Sequence, residues 1–176
     1  MGWVCKESSM MPSLSLITKS PEATRRLGER LGRLLEPGHV VLLWGELGSG
    51  KTCLAQGIAR GLGVQEWVGS PTFVLLGEYQ GNHRLYHADF YRIENPQEAA
   101  DLALEEYTWD GVLLVEWPER AWSELSQEHL LVRLEALGSR ERRLTLEARG
   151  EAYQKLLEAL ESSRRPGRRR PSAKAG

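Results

Sequence analysis

Val40-Val41-Leu42-Leu43-Trp44-Gly45-Glu46-Leu47-Gly48-Ser49-Gly50-Lys51-Thr52 decides the fold. Its first five residues form an unbroken apolar run, the pattern of a strand buried on both faces of a parallel sheet. The next eight fit G-x-x-x-x-G-K-[ST], and a helix pattern follows from about Thr52 to Leu62, with Gly63 as its stop. In such a strand-loop-helix unit the glycines let successive backbone N–H groups face one anion. The helix N-terminus adds roughly half a positive charge. The expected occupant is a nucleoside triphosphate. Glu46, Leu47, Gly48, Ser49, Gly50, Lys51 and Thr52 would wrap its phosphates, with Lys51 reaching the β- and γ-phosphates and the Thr52 hydroxyl binding Mg²⁺.

Outward from this unit the chain reads as alternating elements. Ser20-Pro21-Glu22 is a helix start, with Leu27, Leu31, Leu34 and Leu35 on one face and Pro37-Gly38 as the break before the strand. Downstream, an apolar stretch to Tyr79, a turn at Gln80-Gly81-Asn82 and a stretch from Arg84 to Tyr91 predict a hairpin. Asn95-Pro96-Gln97-Glu98 is a second capped start, for a helix reaching about Glu106. Val112-Leu113-Leu114-Val115-Glu116-Trp117 is another buried run, with an acid at its C-terminal end, the edge where open α/β sheets bind ligands. Period-two alternation over Val132–Ala136 and Leu144–Ala148 predicts an antiparallel hairpin, and Ala152–Leu160 a closing helix. The fold class is therefore α/β: a P-loop NTPase-like three-layer fold whose mixed, largely parallel central sheet carries antiparallel strands at its edge.

Composition bounds the remaining possibilities. A chain of 176 residues with 41% hydrophobic and 27% charged residues suits one domain with a real core, expected over residues 13–162. Residues 1–12 read as a loose extension, and Met10 and Met11 leave the natural start open. Two cysteines, Cys5 and Cys53, make no disulfide framework, and no apolar run reaches membrane-span length, so the expected home is the cytoplasm, without membrane attachment. The basic tail, 163–176, holds five Arg and one Lys without an acid; taking those six charges from the net −1 leaves −7 on residues 1–163. The tail is expected to be disordered, and it would attract RNA without specificity or serve only as a solvated end.

A triphosphatase needs an acidic partner for its metal and a group to orient the attacking oxygen. Glu116, Asp89 and Thr72 qualify. A carboxylate at the end of a buried strand calls for a Mg²⁺ or a lysine beside it, which applies to Glu116. Each also admits a plain structural role: Asp89 paired with Arg92, Glu116 in a strand-end salt bridge, Thr72 as a cap. His83 and His87 are four apart but fall on a strand, which argues against zinc.

Taken together, Gly45–Thr52, Ser70-Pro71-Thr72-Phe73, His87-Ala88-Asp89-Phe90-Tyr91-Arg92 and Val115-Glu116-Trp117-Pro118 resemble the TsaE (YjeE) family over roughly Ser15 to Leu160. The resemblance implies an ATPase required for making N6-threonylcarbamoyladenosine in tRNA. Such an ATPase would bind a TsaD-TsaB complex, meet tRNA only through it, and support its multiple turnover. It also implies that Lys51, Thr72, Asp89 and Trp117 act in catalysis, that Thr52 and Glu116 hold Mg²⁺, and that Arg140 lies near the nucleotide base. Val74 stands where the family often has a second threonine. The alternative is a small P-loop phosphotransferase acting on a metabolite, against which the segment between Arg92 and Glu116 offers no arginine or lysine. A GTP switch would need an Asn-Lys-x-Asp that neither Asn82 nor Asn95 supplies.

Overall fold

The computed structural model describes residues 11–69 and 75–163. The expectations for Thr72, Val74, residues 1–10 and the tail from Arg164 lie outside them. Seven strands form one sheet: β1 (Ser13–Thr18), β2 (Val40–Trp44), β3 (Leu76–Tyr79), β4 (Arg84–Asp89), β5 (Gly111–Glu116), β6 (His129–Ala136) and β7 (Arg142–Arg149), in the spatial order β1-β7-β6-β2-β5-β4-β3. The four central strands β6, β2, β5 and β4 are parallel, while β7, β1 and β3 run antiparallel to their neighbours at the two margins. This is the mixed sheet expected.

Helices α1 (Pro21–Gly32), α2 (Lys51–Gly61) and α4 (Glu151–Ser162) contribute to one apolar core. The other face is covered by the short α3 (Pro96–Ala100), a 3₁₀ turn at Leu104–Thr108 and the segment around Ala121 and Leu125. Alternation along β2 divides the two sides, with Val41 and Leu43 in the first core and Val40 and Leu42 in the second. All four are almost fully buried, each worth about 1.5–3 kcal/mol relative to exposure. Two helix starts follow the sequence. Ser20 Oγ accepts from Ala23 N at 3.1 Å, and Asn95 forms a complete capping box with Glu98.

Two differences from the sequence reading have physical causes. The helix after Asn95 stops at Ala100 rather than near Glu106, because Ala103 takes a left-handed φ of 48° and redirects the chain so that Leu104 enters the core. The sequence reading also had no strand at β1. Its Leu16 is buried while Ser13 and Ser15 are exposed, and Pro12 already joins the ladder by accepting from Ala148 N at 3.0 Å.

Helices α1 and α2 pack backbone against backbone. Gly28 and Gly32 of α1 face Gly57 and Gly61 of α2 so tightly that a Cβ on any of them would lie 2.2–2.5 Å from a backbone carbonyl oxygen of the other helix. Two small-x-x-x-small stripes thus let backbone pack on backbone. Gly32→Ala should destabilise the chain by about 1–3 kcal/mol through overpacking. Gly138→Ala, at a turn glycine with nothing within 4 Å of its Cβ position, should stay within about 0.5 kcal/mol. Urea unfolding of the two variants, read as a shift in midpoint at constant slope, measures the difference.

Candidate functional site

The loop between β2 and α2 sits at the C-terminal edge of the parallel strands, beside the ends of β4 and β5. Gly48 and Gly50 take φ of 76° and 103°, values that a side chain would strain, and Gly50 caps α2 from the left-handed region. Lys51, Thr52, Asp89, Glu116 and Trp117 all line a cleft of about 320 Å³ with loop residues Leu47, Gly48 and Gly50. The central residues expected from the sequence are therefore brought together.

Glu116 is 2% exposed, and both its oxygens are engaged. Its Oε2 accepts from the Thr52 hydroxyl at 3.2 Å, and its Oε1 lies 3.0 Å from His87 Nε2. Of the partners foreseen for this carboxylate, a magnesium ion or a lysine, Lys51 stands in the same cleft within electrostatic reach, while the hydrogen bonds come from a threonine and a fully buried histidine. Parallel pairing sets Asp89 beside Glu116, and Asp89 Oδ1 accepts from Tyr91 N at 2.9 Å. A hydroxyl next to a carboxylate, with a second carboxylate on the adjoining strand, is a hard-oxygen donor set that fits Mg²⁺. Among the described residues no group of three or more His, Cys, Asp or Glu suits a metal by itself, so a cation here would complete its shell with phosphate oxygens and water.

Lys51 is nearly buried. Its ammonium donates to the carbonyls of Gly45 at 2.5 Å and Glu46 at 2.9 Å, and lies 3.8 Å from the centroid of the Trp117 ring. Burial pushes its pKa below the ordinary lysine value, opposed by the nearby carboxylates, Glu116 foremost. Trp117 reaches this position from a left-handed backbone, φ 57°, a conformation costing on the order of 1–2 kcal/mol for a bulky residue. Its N–H donates to Leu43 O at 3.2 Å, and its ring packs on Tyr91 with centroids 4.9 Å apart. Ser49 is buried, and its hydroxyl has no hydrogen-bond partner among the described residues.

Arg140 lies exposed in the turn before β7, and its charge helps to hold Glu22 below the usual carboxylate range, behind the local backbone and Ser20 hydrogen bonds. The arginine that touches the glycine-rich loop is Arg142, whose guanidinium donates to Gly48 O at 3.2 Å. The Arg142 contact was not singled out from the sequence, and His87 was weighed there only as a zinc ligand. For His87 the signal was present: it alternates in phase with Leu85 and Asp89, so its side chain had to enter the same face as theirs.

Comparisons with known proteins bear on the family and the fold. The family described as "Threonylcarbamoyl adenosine biosynthesis protein TsaE" matches residues 18–144. The chain is similar to the tRNA threonylcarbamoyladenosine biosynthesis protein TsaE of Treponema pallidum, 42% identical over 74% of this chain and 97% of that one. It is also similar to the protein of the same name from Bacillus subtilis, 41% identical over 85% and 95% of the two chains. The crystal structure of Bacillus subtilis YdiB superposes with a TM-score of 0.78 at 36% identity, covering 89% of this chain and 99% of that one.

The state of Lys51 has a measurable consequence. A bound triphosphate would favour the charged ammonium and lift its pKa again, so the complex would hold more protons than the free chain wherever the free lysine titrates. Nucleotide affinity should therefore fall as pH rises through the lowered Lys51 pKa, by at most about tenfold per pH unit for one proton. Lys51→Arg, if it binds, should remove the dependence. Calorimetric titration upward from neutral pH in buffers of different ionisation enthalpy reads both the affinity and the proton uptake.

Proposed function

The chain belongs to the TsaE family, and from that premise we propose that it is a Mg²⁺-dependent ATPase that serves a TsaD-TsaB complex. The coarse part of this reading, a role in tRNA threonylcarbamoyladenosine biosynthesis, follows from family membership. The ATPase reading is carried by one observation above the others: the Thr52 hydroxyl at the start of α2 donates to the buried Glu116 carboxylate at the end of β5. A phosphate-binding loop and an acidic strand end are thereby joined at one point.

Each residue's part follows from its surroundings. Backbone N–H groups from Glu46 to Thr52 would bind the phosphates, aided by the α2 dipole. Lys51 would exchange its two loop carbonyls for phosphate oxygens, with the Trp117 ring keeping water from one side of the ammonium. Thr52 and Glu116 would hold Mg²⁺, which when bound offsets phosphate charge during transfer. Asp89, fixed through the Tyr91 amide, would orient the attacking water. Arg140 and Arg142 would lie toward the base and the loop rim.

Among the described residues lining the cleft, the charged groups are one cation, Lys51, and two carboxylates, Asp89 and Glu116. A phosphoryl-transfer transition state is short of positive charge in such a cleft. Hydrolysis by the isolated chain is therefore expected to be weak, and a partner that adds a basic or ordering group would raise it, as activating proteins do for switch GTPases by about 10³ to 10⁵. TsaD and TsaB are the proposed source, with tRNA acting through them.

ATP hydrolysis with Mg²⁺, measured alone and with TsaD-TsaB and tRNA, tests the reading. Stimulation by the complex is expected, and turnover that requires a small-molecule acceptor instead would point to a phosphotransferase. Lys51→Ala should weaken ATP binding by about 10- to 100-fold, the worth of a charged hydrogen bond. Glu116→Ala should instead remove most of the Mg²⁺ dependence of binding.

A further inference from the structure

Resting on the nucleotide reading above, we propose that His87 is a positioning residue for Glu116: its imidazole fixes the carboxylate so that the metal-facing oxygen meets Thr52. His87 is completely buried in β4, and the β4–β5 pairing places it opposite Leu114, one alternation before the Asp89–Glu116 pair. From there its Nε2 lies 3.0 Å from Glu116 Oε1. An ionised carboxylate only accepts, so the Nε2–H must be the donor. The opposite ring nitrogen, Nδ1, is buried without a hydrogen-bond partner among the described residues. Its single directed bond is the one to Glu116.

The two oxygens of Glu116 thus have separate tasks. Oε1 is turned inward and tied to the strand next door, while Oε2 faces the start of α2 and the cleft. Without the imidazole, Oε1 would be a buried acceptor with no donor, and the carboxylate would be free to rotate Oε2 away from Thr52. Partners that orient a metal's ligands from outside its coordination shell are typically worth about 10- to 100-fold in metal affinity. The position requires a donor at imidazole length, because β4 and β5 are fixed in register by their ladder. Glutamine places an amide N–H at a distance similar to that of Nε2, whereas asparagine falls short.

The test is the Mg²⁺ concentration at which the full chain shows half of its Mg²⁺-enhanced binding of a fluorescent ATP analogue, read at equilibrium, together with thermal melting. In His87→Leu this midpoint should rise about 10- to 100-fold, with binding in the absence of Mg²⁺ changed less than about twofold. His87→Gln should restore most of the midpoint, and His87→Asn should not. If the leucine variant does not fold, the glutamine-asparagine pair carries the comparison, since both fill the site with an amide. Equal midpoints in these two, or an unmoved midpoint in a folded leucine variant, would overturn the positioning role. Absence of Mg²⁺-dependent nucleotide binding in the unaltered chain would overturn the nucleotide reading itself, a separate outcome.

Discussion

Backbone-on-backbone contact between α1 and α2 is the constraint from which the geometry of the cleft descends. Four glycines leave room at the crossing that a Cβ would fill, so backbone carbonyl oxygens of one helix come close to the glycines of the other and dispersion between the backbones is gained. Helix α2 cannot slide or lift without breaking that fit. Its N-terminus continues the glycine-rich loop, and its second residue is Thr52. The separation between Thr52 and a carboxylate on β5 is therefore set at the far end of the helix by residues with no side chain.

A second constraint works at the cleft itself. Burying the Glu116 carboxylate costs several kcal/mol unless donors surround it, and the two it has among the described residues, Thr52 and His87, come from different elements. The charge thus ties α2, β4 and β5 to one point. Trp117, the next residue, turns the chain through a strained left-handed conformation and lays its ring against Lys51. Such strain persists because the flanking ladder and the packing on Tyr91 leave the chain no alternative.

Much of this was legible in the sequence because it rests on local rules. The loop consensus, the apolar runs of β2 and β5, and the Ser20 and Asn95 caps are short-range signals, and each leads to the element found. What escaped depends on the tertiary structure. Ser13–Thr18 alternates like a strand, but a six-residue alternation without turn signals does not announce its partner, which lies at the other end of the chain. Ala103 breaks a helix that its composition favours, because burying Leu104 outweighs propensity. The histidine at 87, weighed in the sequence only as a zinc ligand, finds its partner when the register of β4 on β5 brings it to Glu116.

The order of the strands also bears on how the chain is made. Among the described residues β1 pairs with β7 alone, through Arg142–Glu147, so this early strand must wait until the rest of that sheet has been synthesised. Until then the inner part of the sheet, β2 with β5 and β4, can assemble while its β6 side stays open. Closure of the molecule is thus a late, long-range event of the kind that slows folding and prolongs the exposure of unpaired edges to neighbouring nascent chains. A protein laid out in this way gains its cleft before it gains its final boundary.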